Sequence, residues 1–258
     1  MLLLAIEQSS DSAGLALFKD GLIAGQRAWD AAESRSNGLF IHLRALLAET
    51  GFSLSDVAHY AVDVGPGSYG GLRSSLAAAL AFAMPSDTPV YAVTAPEIIA
   101  FGAMREFKTD LVQVVGDARR AQLWTCTYAA GCKMPALREK LELVQAAGFR
   151  PAPGATVVSP DWHRLAGILE PAEARVIRLV KKRILPSAVQ LGELVLRRLE
   201  LNMPGEPLRP VYLHEAVAGS QKSVDRMQAV YNSQAGGCLT AGRCVEPGSQ
   251  EETLNLKP

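Results

Sequence analysis

The feature that most constrains this chain is a short design that occurs twice. Leu2-Leu3-Leu4-Ala5-Ile6 is an unbroken apolar run ending in Glu7. A turn-prone Gln8-Ser9-Ser10-Asp11-Ser12 follows, then an apolar strand over 13–18, an Asp20-Gly21 hairpin turn and a returning strand from Leu22 to Trp29. Later, Leu111-Val112-Gln113-Val114-Val115 ends at Asp117, and Gln122 to Tyr128 forms a strand reaching a turn at Gly131. Acid and turn glycine stand 14 residues apart in both copies. A repeated supersecondary unit implies a duplicated architecture, here two lobes that each open on an acid-tipped β-meander. Two ordinary hairpins matched by chance are the alternative.

This layout resembles the actin-like, sugar-kinase and heat-shock ATPase superfamily. The expected fold is therefore α/β, an actin-like ATPase (ribonuclease H-like) two-lobed fold with mixed sheets. In that layout the two acids, Glu7 and Asp117, face each other across a cleft able to hold nucleotide phosphates and Mg²⁺.

Between the meanders lies Val64-Gly65-Pro66-Gly67-Ser68-Tyr69-Gly70-Gly71-Leu72-Arg73. It follows the alternating run His59 to Val64 and precedes an Ala/Leu-rich stretch that ends at Pro85, so it reads as strand, glycine turn, helix. Glycines permit close backbone approach. Ser68 is placed to cap the helix, and the N–H groups at a helix start can face an anion. Three enzyme motifs fail here. No Gly-Lys-Ser/Thr follows the glycines; Pro66 stands where a nucleophile elbow needs glycine; and Gly65, Gly67 and Gly70 fit the dinucleotide spacing but lie far from the first strand, with no acid at the ribose distance. A plain tight turn accounts for the glycines as well.

Two helices frame the rest of the first half. One begins at Asn37-Gly38 and ends at Thr50-Gly51, with Leu39, Leu43, Leu46 and Leu47 on one stripe and Phe40 and Ile41 off it. The other runs from Leu72 to Met84 and carries no charge between Ser74 and Met84, with Leu76, Ala79, Leu80 and Ala83 among its apolar positions. A helix apolar all round is buried on every side. Either both helices are sandwiched inside the domain, or they form a partner surface.

Pro89 to Val93 reads as a buried strand and Glu97 to Ala103 as a short helix. Glu139 to Ala147 reads as a helix, 156–159 as a strand, and Ser187 to Asn202 as an amphipathic helix. Arg175 to Arg183 interleaves five basic residues with apolar ones, which is a solvated face or an RNA contact. The expected lobes are 1–108 and a reduced 109–218; the polar residues 219–258 read as a disordered tail.

Lys plus Arg and Asp plus Glu each total 26, so no global basic field points to nucleic acid. Cys126, Cys132, Cys238 and Cys244 make no zinc spacing and read as reduced thiols. The apolar start is too short for a signal peptide, and no run reaches membrane-spanning length. A cytoplasmic protein without a membrane partner is expected.

Leu4-Ala5-Ile6-Glu7, Gly65-Pro66-Gly67-Ser68-Tyr69-x-Gly71-Leu72-Arg73, Asp117-Ala118-Arg119 and Pro210-Val211-Tyr212-Leu213 together resemble the bacterial TsaB (YeaZ) family, over about residues 1–215. The resemblance implies a non-catalytic scaffold or activator subunit. Such proteins pair with a TsaD-like transferase and a TsaE-like ATPase, and the complex adds threonylcarbamoyl to the adenosine next to the anticodon of tRNAs. It further implies a partner surface on the first-lobe helices (Leu39, Leu43, Leu46, Leu76, Ala79, Leu80, Ala83) and contact with tRNA only through the complex. A homodimer is the alternative when the chain is alone. No catalytic residue, metal or cofactor of its own is expected; ATP and Mg²⁺ at the complex interface stay open, with Glu7, Gly65, Gly67, Ser68, Gly71, Arg73 and Asp117 as the residues to hold them. His42, His59, His163 and His214 include no His-x-x-x-His pair of the kind that carries metal in the transferase relatives. Three positions depart from the family: Glu7 for the usual Asp, Gly70 for Thr, and Arg35-Ser36 for His-Ser. These departures weaken the case for nucleotide handling and for affinity toward the usual partner. The enzymatic alternative is a small actin-fold ATP-dependent phosphotransferase.

Overall fold

The computed structural model describes residues 1–32, 37–131 and 133–214. The expectations for Arg35-Ser36 and for a tail from Gly219 lie outside these residues.

The chain forms two five-stranded mixed sheets with one topology. The first contains β1 (Leu2–Glu7), β2 (Ser12–Lys19), β3 (Leu22–Asp30), β4 (His59–Asp63) and β5 (Val90–Val93), in the order β3-β2-β1-β4-β5. The second contains β6 (Leu111–Arg119), β7 (Gln122–Ala130), β8 (Pro135–Gln145), β9 (Thr156–Ser159) and β10 (Arg178–Arg183), in the order β8-β7-β6-β9-β10. In each sheet an antiparallel meander is followed by two strands added in parallel on the far side of the first. The duplication seen in the acid-to-glycine spacing is thus a duplication of sheet topology, and the fold is the two-lobed actin-like one.

Helices α1 (Gly38–Thr50) and α2 (Tyr69–Ala83) cover one face of the first sheet, and α5 (Ala188–Glu200) covers the other. Helix α3 (Ala95–Phe107) lies between the sheets, sending Ile98 and Phe101 into the first core and Ile99, Ala100 and Ala103 into the second. Helix α4 (Trp162–Leu169) closes the outer face of the second sheet. Strand β1 is central and covered on both sides, which is why it is apolar without interruption. Leu2, Leu4 and Ile6 meet the α1–α2 side, while Leu3 and Ala5 meet α5.

Two sequence expectations change. The stretch from Glu139, expected as a helix, belongs to strand β8. Its Leu, Glu and Lys residues favour helix intrinsically, but pairing with β7 overrides them, and as an edge strand β8 leaves those charges in water. Helix α4 was not anticipated, because its apolar stripe of Leu165 and Leu169 is only two positions long.

After α5 the chain returns to the first lobe. Arg198 on α5 donates to Glu97 Oε2 of α3 at 2.6 Å, with both side chains buried, and to the Pro204 carbonyl at 3.1 Å. Beyond that tie, Glu206 N donates to Ala92 O and Val211 N to Val64 O, each at 2.8 Å. The Tyr212 ring comes to rest 5.4 Å from that of Tyr69. Two of the strings that carried the family resemblance, widely separated in sequence, are therefore in contact.

Candidate functional site

The glycine string sits where the β4 loop turns into α2. Ser68 is the N-cap and accepts from Gly71 N–H through its side chain at 3.3 Å. Its own N–H donates to Ser9 O, in the loop between β1 and β2, at 2.7 Å. A Cβ at Gly67 would stand 2.1 Å from Ser9 O, and one at Gly71 only 1.9 Å from Gln8 O. These two glycines let one backbone lie directly on another. The space beside both glycines is filled by the 8–9 backbone. Gly70, by contrast, has nothing within 4 Å of a Cβ. Arg73 reaches back to donate to the Tyr69 hydroxyl at 2.6 Å and lies over the Tyr69 ring.

Beneath this junction lies a pair of carboxyls. Glu7 and Asp63 end the adjacent parallel strands β1 and β4, and both are 0% exposed. Ser9 donates to Glu7 Oε1 through both its N–H and its hydroxyl, each at 2.6 Å, and Gly65 N–H donates to Asp63 Oδ1 at 2.7 Å. Among the described residues, Glu7 Oε2 and Asp63 Oδ2 have no hydrogen-bond partner. Burial pushes both carboxyls above the ordinary range, and the charge of Asp63 raises Glu7 further. Asp63 was not singled out in the sequence. The available signal was an acid at the tip of the strand next to β1, two residues before the glycine loop.

Asp117, the acid of the second meander, sits differently. Its carboxylate accepts from Arg119 N–H at 2.8 Å and pairs with the Arg119 and Arg164 guanidiniums at 3.2 and 3.5 Å. Asp161 supports it, accepting from Asp117 N–H at 2.9 Å. Near the other tip, Arg183 Nη2 donates to Asp11 in the β1–β2 loop at 2.7 Å, and its Nε donates to Pro160 O at 2.9 Å. That guanidinium joins the two lobes and holds Asp11 below the usual carboxylate range. Arg178–Arg183 of the basic run form the edge strand β10, whose cations are engaged: Lys181 with Glu173, Lys182 with Glu106, Arg183 with Asp11, and Arg178 with Phe107 O. The solvated-face reading of this run fits those pairings.

The uncharged helix is not buried on every side. Leu72, Ser75, Leu76, Ala78, Ala79 and Ala83 of α2 face the sheet, while Arg73, Ala77, Leu80 and Ala81 face outward at helical spacing, with Met84 just beyond the helix 79% exposed. On α1, Leu39, Leu43 and Leu46 are buried, whereas Phe40 and Ile41 are 54% and 55% exposed. Phe40 stands edge-on to Phe82 of α2, so the outward sides of the two helices are joined. Of the seven positions expected at a partner surface, only Leu80 is exposed; the other six belong to the core. The apolar stripe read from the sequence was the sheet-facing one. The outward stripe was obscured because Ala77, Ala81 and Met84 look like further core residues in a chargeless run.

Comparison with known proteins agrees with this geometry. The family model described as TsaD, tRNA N6-adenosine threonylcarbamoyltransferase, matches residues 30–156. An uncharacterised protein of Mycobacterium tuberculosis is 27% identical over 164 residues, 62% of this chain and 72% of its own. The tRNA threonylcarbamoyladenosine biosynthesis protein TsaB of Bacillus subtilis is 30% identical over 128 residues, 50% of this chain and 55% of its own. Among solved structures, YeaZ from Pseudomonas aeruginosa superposes with a TM-score of 0.69 at 25% identity, covering 82% of this chain and 99% of that one. Among the described residues no helix is long and apolar enough to cross a membrane. The duplicated sheet, the glycine string packed on the β1–β2 loop and these relatives support a member of the TsaB (YeaZ) family.

Proposed function

We propose that the protein is a scaffold or activator subunit of the machinery that adds threonylcarbamoyl to the adenosine next to the anticodon of tRNAs, and that it docks a TsaD-like transferase on the outward face of α1 and α2. The observation that carries this reading is the exposed apolar face built by Phe40, Ile41, Leu80 and Met84, with no charge from Ser74 to Met84. Exposed apolar surface of this kind favours a protein partner over open solvent. The similarity to TsaB proteins of tRNA threonylcarbamoyladenosine biosynthesis and to the TsaD family model supports the choice of pathway. In this reading a TsaE-like ATPase joins the complex, tRNA is met through the complex, and the same face pairs two copies when the partner is absent. ATP and Mg²⁺, if held, belong to the complex interface rather than to the glycine loop, since the 8–9 backbone fills the space beside Gly67 and Gly71. The same packing removes the support that a phosphotransferase needs at that loop. The two lobes act as one rigid support for the docking face in a cytoplasmic complex.

The test is genetic. Depleting the protein in its own organism is expected to lower threonylcarbamoyladenosine in tRNA. Wild type restores it, and Leu80→Glu, expressed to the same level, does not. Unchanged modified-nucleoside content after depletion refutes the reading.

A further inference from the structure

Where the chain returns to the first lobe it builds an exposed aromatic cluster at the start of α2. Val211 N donates to Val64 O at 2.8 Å, which fixes the backbone just before Tyr212. The Tyr212 ring then lies 5.4 Å from that of Tyr69, with the two planes tilted by 34°. Arg73 Nη1 donates to the Tyr69 hydroxyl at 2.6 Å, and its guanidinium stands 5.1 Å from the Tyr69 ring centroid. Three flat groups are thus in contact in series. Hydrogen bonds fix both ends of the series, so little freedom remains to be lost when a ligand binds. The rings are nevertheless open to water: Tyr69 is 62% and Tyr212 50% exposed. Gly70, next to Tyr69, would meet nothing within 4 Å of a Cβ, so the backbone beside the ring is bare.

The charge here is one-sided. The two segments that build the cluster, 64–86 and 207–213, hold Arg73 and Arg209 and no acid. Arg209 is exposed, and among the described residues Arg73 pairs with no carboxylate. Glu206, just before the second segment, is turned to Arg198 at 3.8 Å. The cations of β10 are spoken for by carboxylates and a carbonyl, so they offer no comparable site. Exposed rings and a guanidinium plane beside uncompensated positive charge are suited to stacking unpaired bases and meeting the phosphates between them. Tyr and Arg also serve protein interfaces, but cations without acids over both segments are complementary to a polyanion.

We propose that Tyr69, Tyr212 and Arg73 form a stacking platform for unpaired bases of single-stranded RNA, with Arg73 and Arg209 meeting its phosphates. The proposal rests on the reading above, in which the complex acts on an adenosine beside the anticodon, and it gives this chain a direct contact with that loop. Arg73, Ala77, Leu80 and Ala81 share the outward side of α2, so the platform continues the docking face at its N-terminal end. RNA laid on it lies beside the docked transferase.

The experiment is fluorescence anisotropy of a labelled single-stranded RNA of anticodon-loop sequence, titrated with the full chain alone and with the chain mixed with the TsaD-like protein of its organism. Tyr212→Ala is expected to weaken binding at least about fivefold, and Tyr212→Phe, which keeps the ring, to retain it. Arg73→Gln is expected to flatten the slope of log affinity against log salt by about 0.7. Equal affinity in wild type and Tyr212→Ala, or no binding by wild type in either state, overturns the proposal. A Tyr212→Ala chain that loses the TsaD-like protein but keeps the RNA also overturns it, in favour of a protein contact. Should Tyr212→Ala fail to fold, ultraviolet cross-linking of wild type to a bromouridine-substituted probe decides: adducts on Tyr69 or Tyr212 support the platform, and adducts confined elsewhere overturn it. The scaffold reading is judged separately by depletion. Lowered threonylcarbamoyladenosine with no platform-dependent binding removes this proposal alone, and platform-dependent binding with unchanged modification removes the reading alone.

Discussion

Replacing the loop glycines one at a time separates packing from ligand binding. At Gly67 an added methyl would stand 2.1 Å from Ser9 O, and that atom is backbone, so relief requires moving the β1–β2 loop away. Overpacking of this kind costs about 1–3 kcal/mol. Pulling Ser9 O off Ser68 N–H adds about 1–3 kcal/mol for the polar groups left behind. Gly67→Ala is therefore expected to destabilise by about 2–6 kcal/mol, summing those two ranges. Gly71→Ala meets Gln8 O at 1.9 Å, but as a residue of α2 it regains about 1 kcal/mol of helix propensity, so its loss is smaller. Gly70→Ala, also in α2 and facing open space, is expected to stabilise by up to about 1 kcal/mol. Urea unfolding followed by circular dichroism gives all three from midpoint and slope. Were the loop a phosphate cradle with space above it, Gly67→Ala would leave stability within about 0.5 kcal/mol of wild type. That result refutes the packing account.

Other perturbations test the rest of the framework. Arg198→Ala leaves Glu97 buried without its cation and is expected to cost about 3–5 kcal/mol near neutral pH. Burial already raises Glu97; without Arg198 it rises further, so the deficit in urea unfolding shrinks as the buffer is taken down toward about pH 5 and the acid protonates. Arg183→Ala removes a partly exposed pair and is expected to change stability by less than about 1 kcal/mol. Because Arg183 depresses Asp11, its contribution is present above the ordinary aspartate value and lost as pH falls through the depressed one, so acid titration of the variant lacks that component. Ala78→Glu places a carboxylate against the core and is expected to abolish or strongly weaken folding, whereas Ala77→Glu, one residue away on the outward face, stays within about 0.5 kcal/mol in a thermal or urea melt.

What was legible in the sequence follows from which forces act locally. The repeat was visible because each meander needs an apolar central strand, an acid at its tip and a turn residue, and these recur at fixed spacing. The ends of α1 were visible in Asn37 and Gly51, and Gly51 adopts the left-handed conformation that ends the helix. The Ser68 cap was visible for the same reason. Strand β8 was not, because its residues prefer helix and only its partner β7 makes it a strand. The direction in which α2 faces was not legible either: a run without charge carries no polar side to mark the solvent. Asp63 escaped notice because pairing it with Glu7 depends on β1 and β4 lying side by side, a contact between residues far apart in the chain.

The measurement that bears most directly on the proposed role is light scattering during size-exclusion chromatography of this protein mixed with the TsaD-like protein of its own organism. Wild type is expected to elute as a stable mixed complex, and Ala77→Glu and Leu80→Glu as free, folded chains beside an unbound partner. A mixed complex that survives both substitutions, or a folded wild type that never associates, would contradict the assignment of the α1–α2 face as the docking surface.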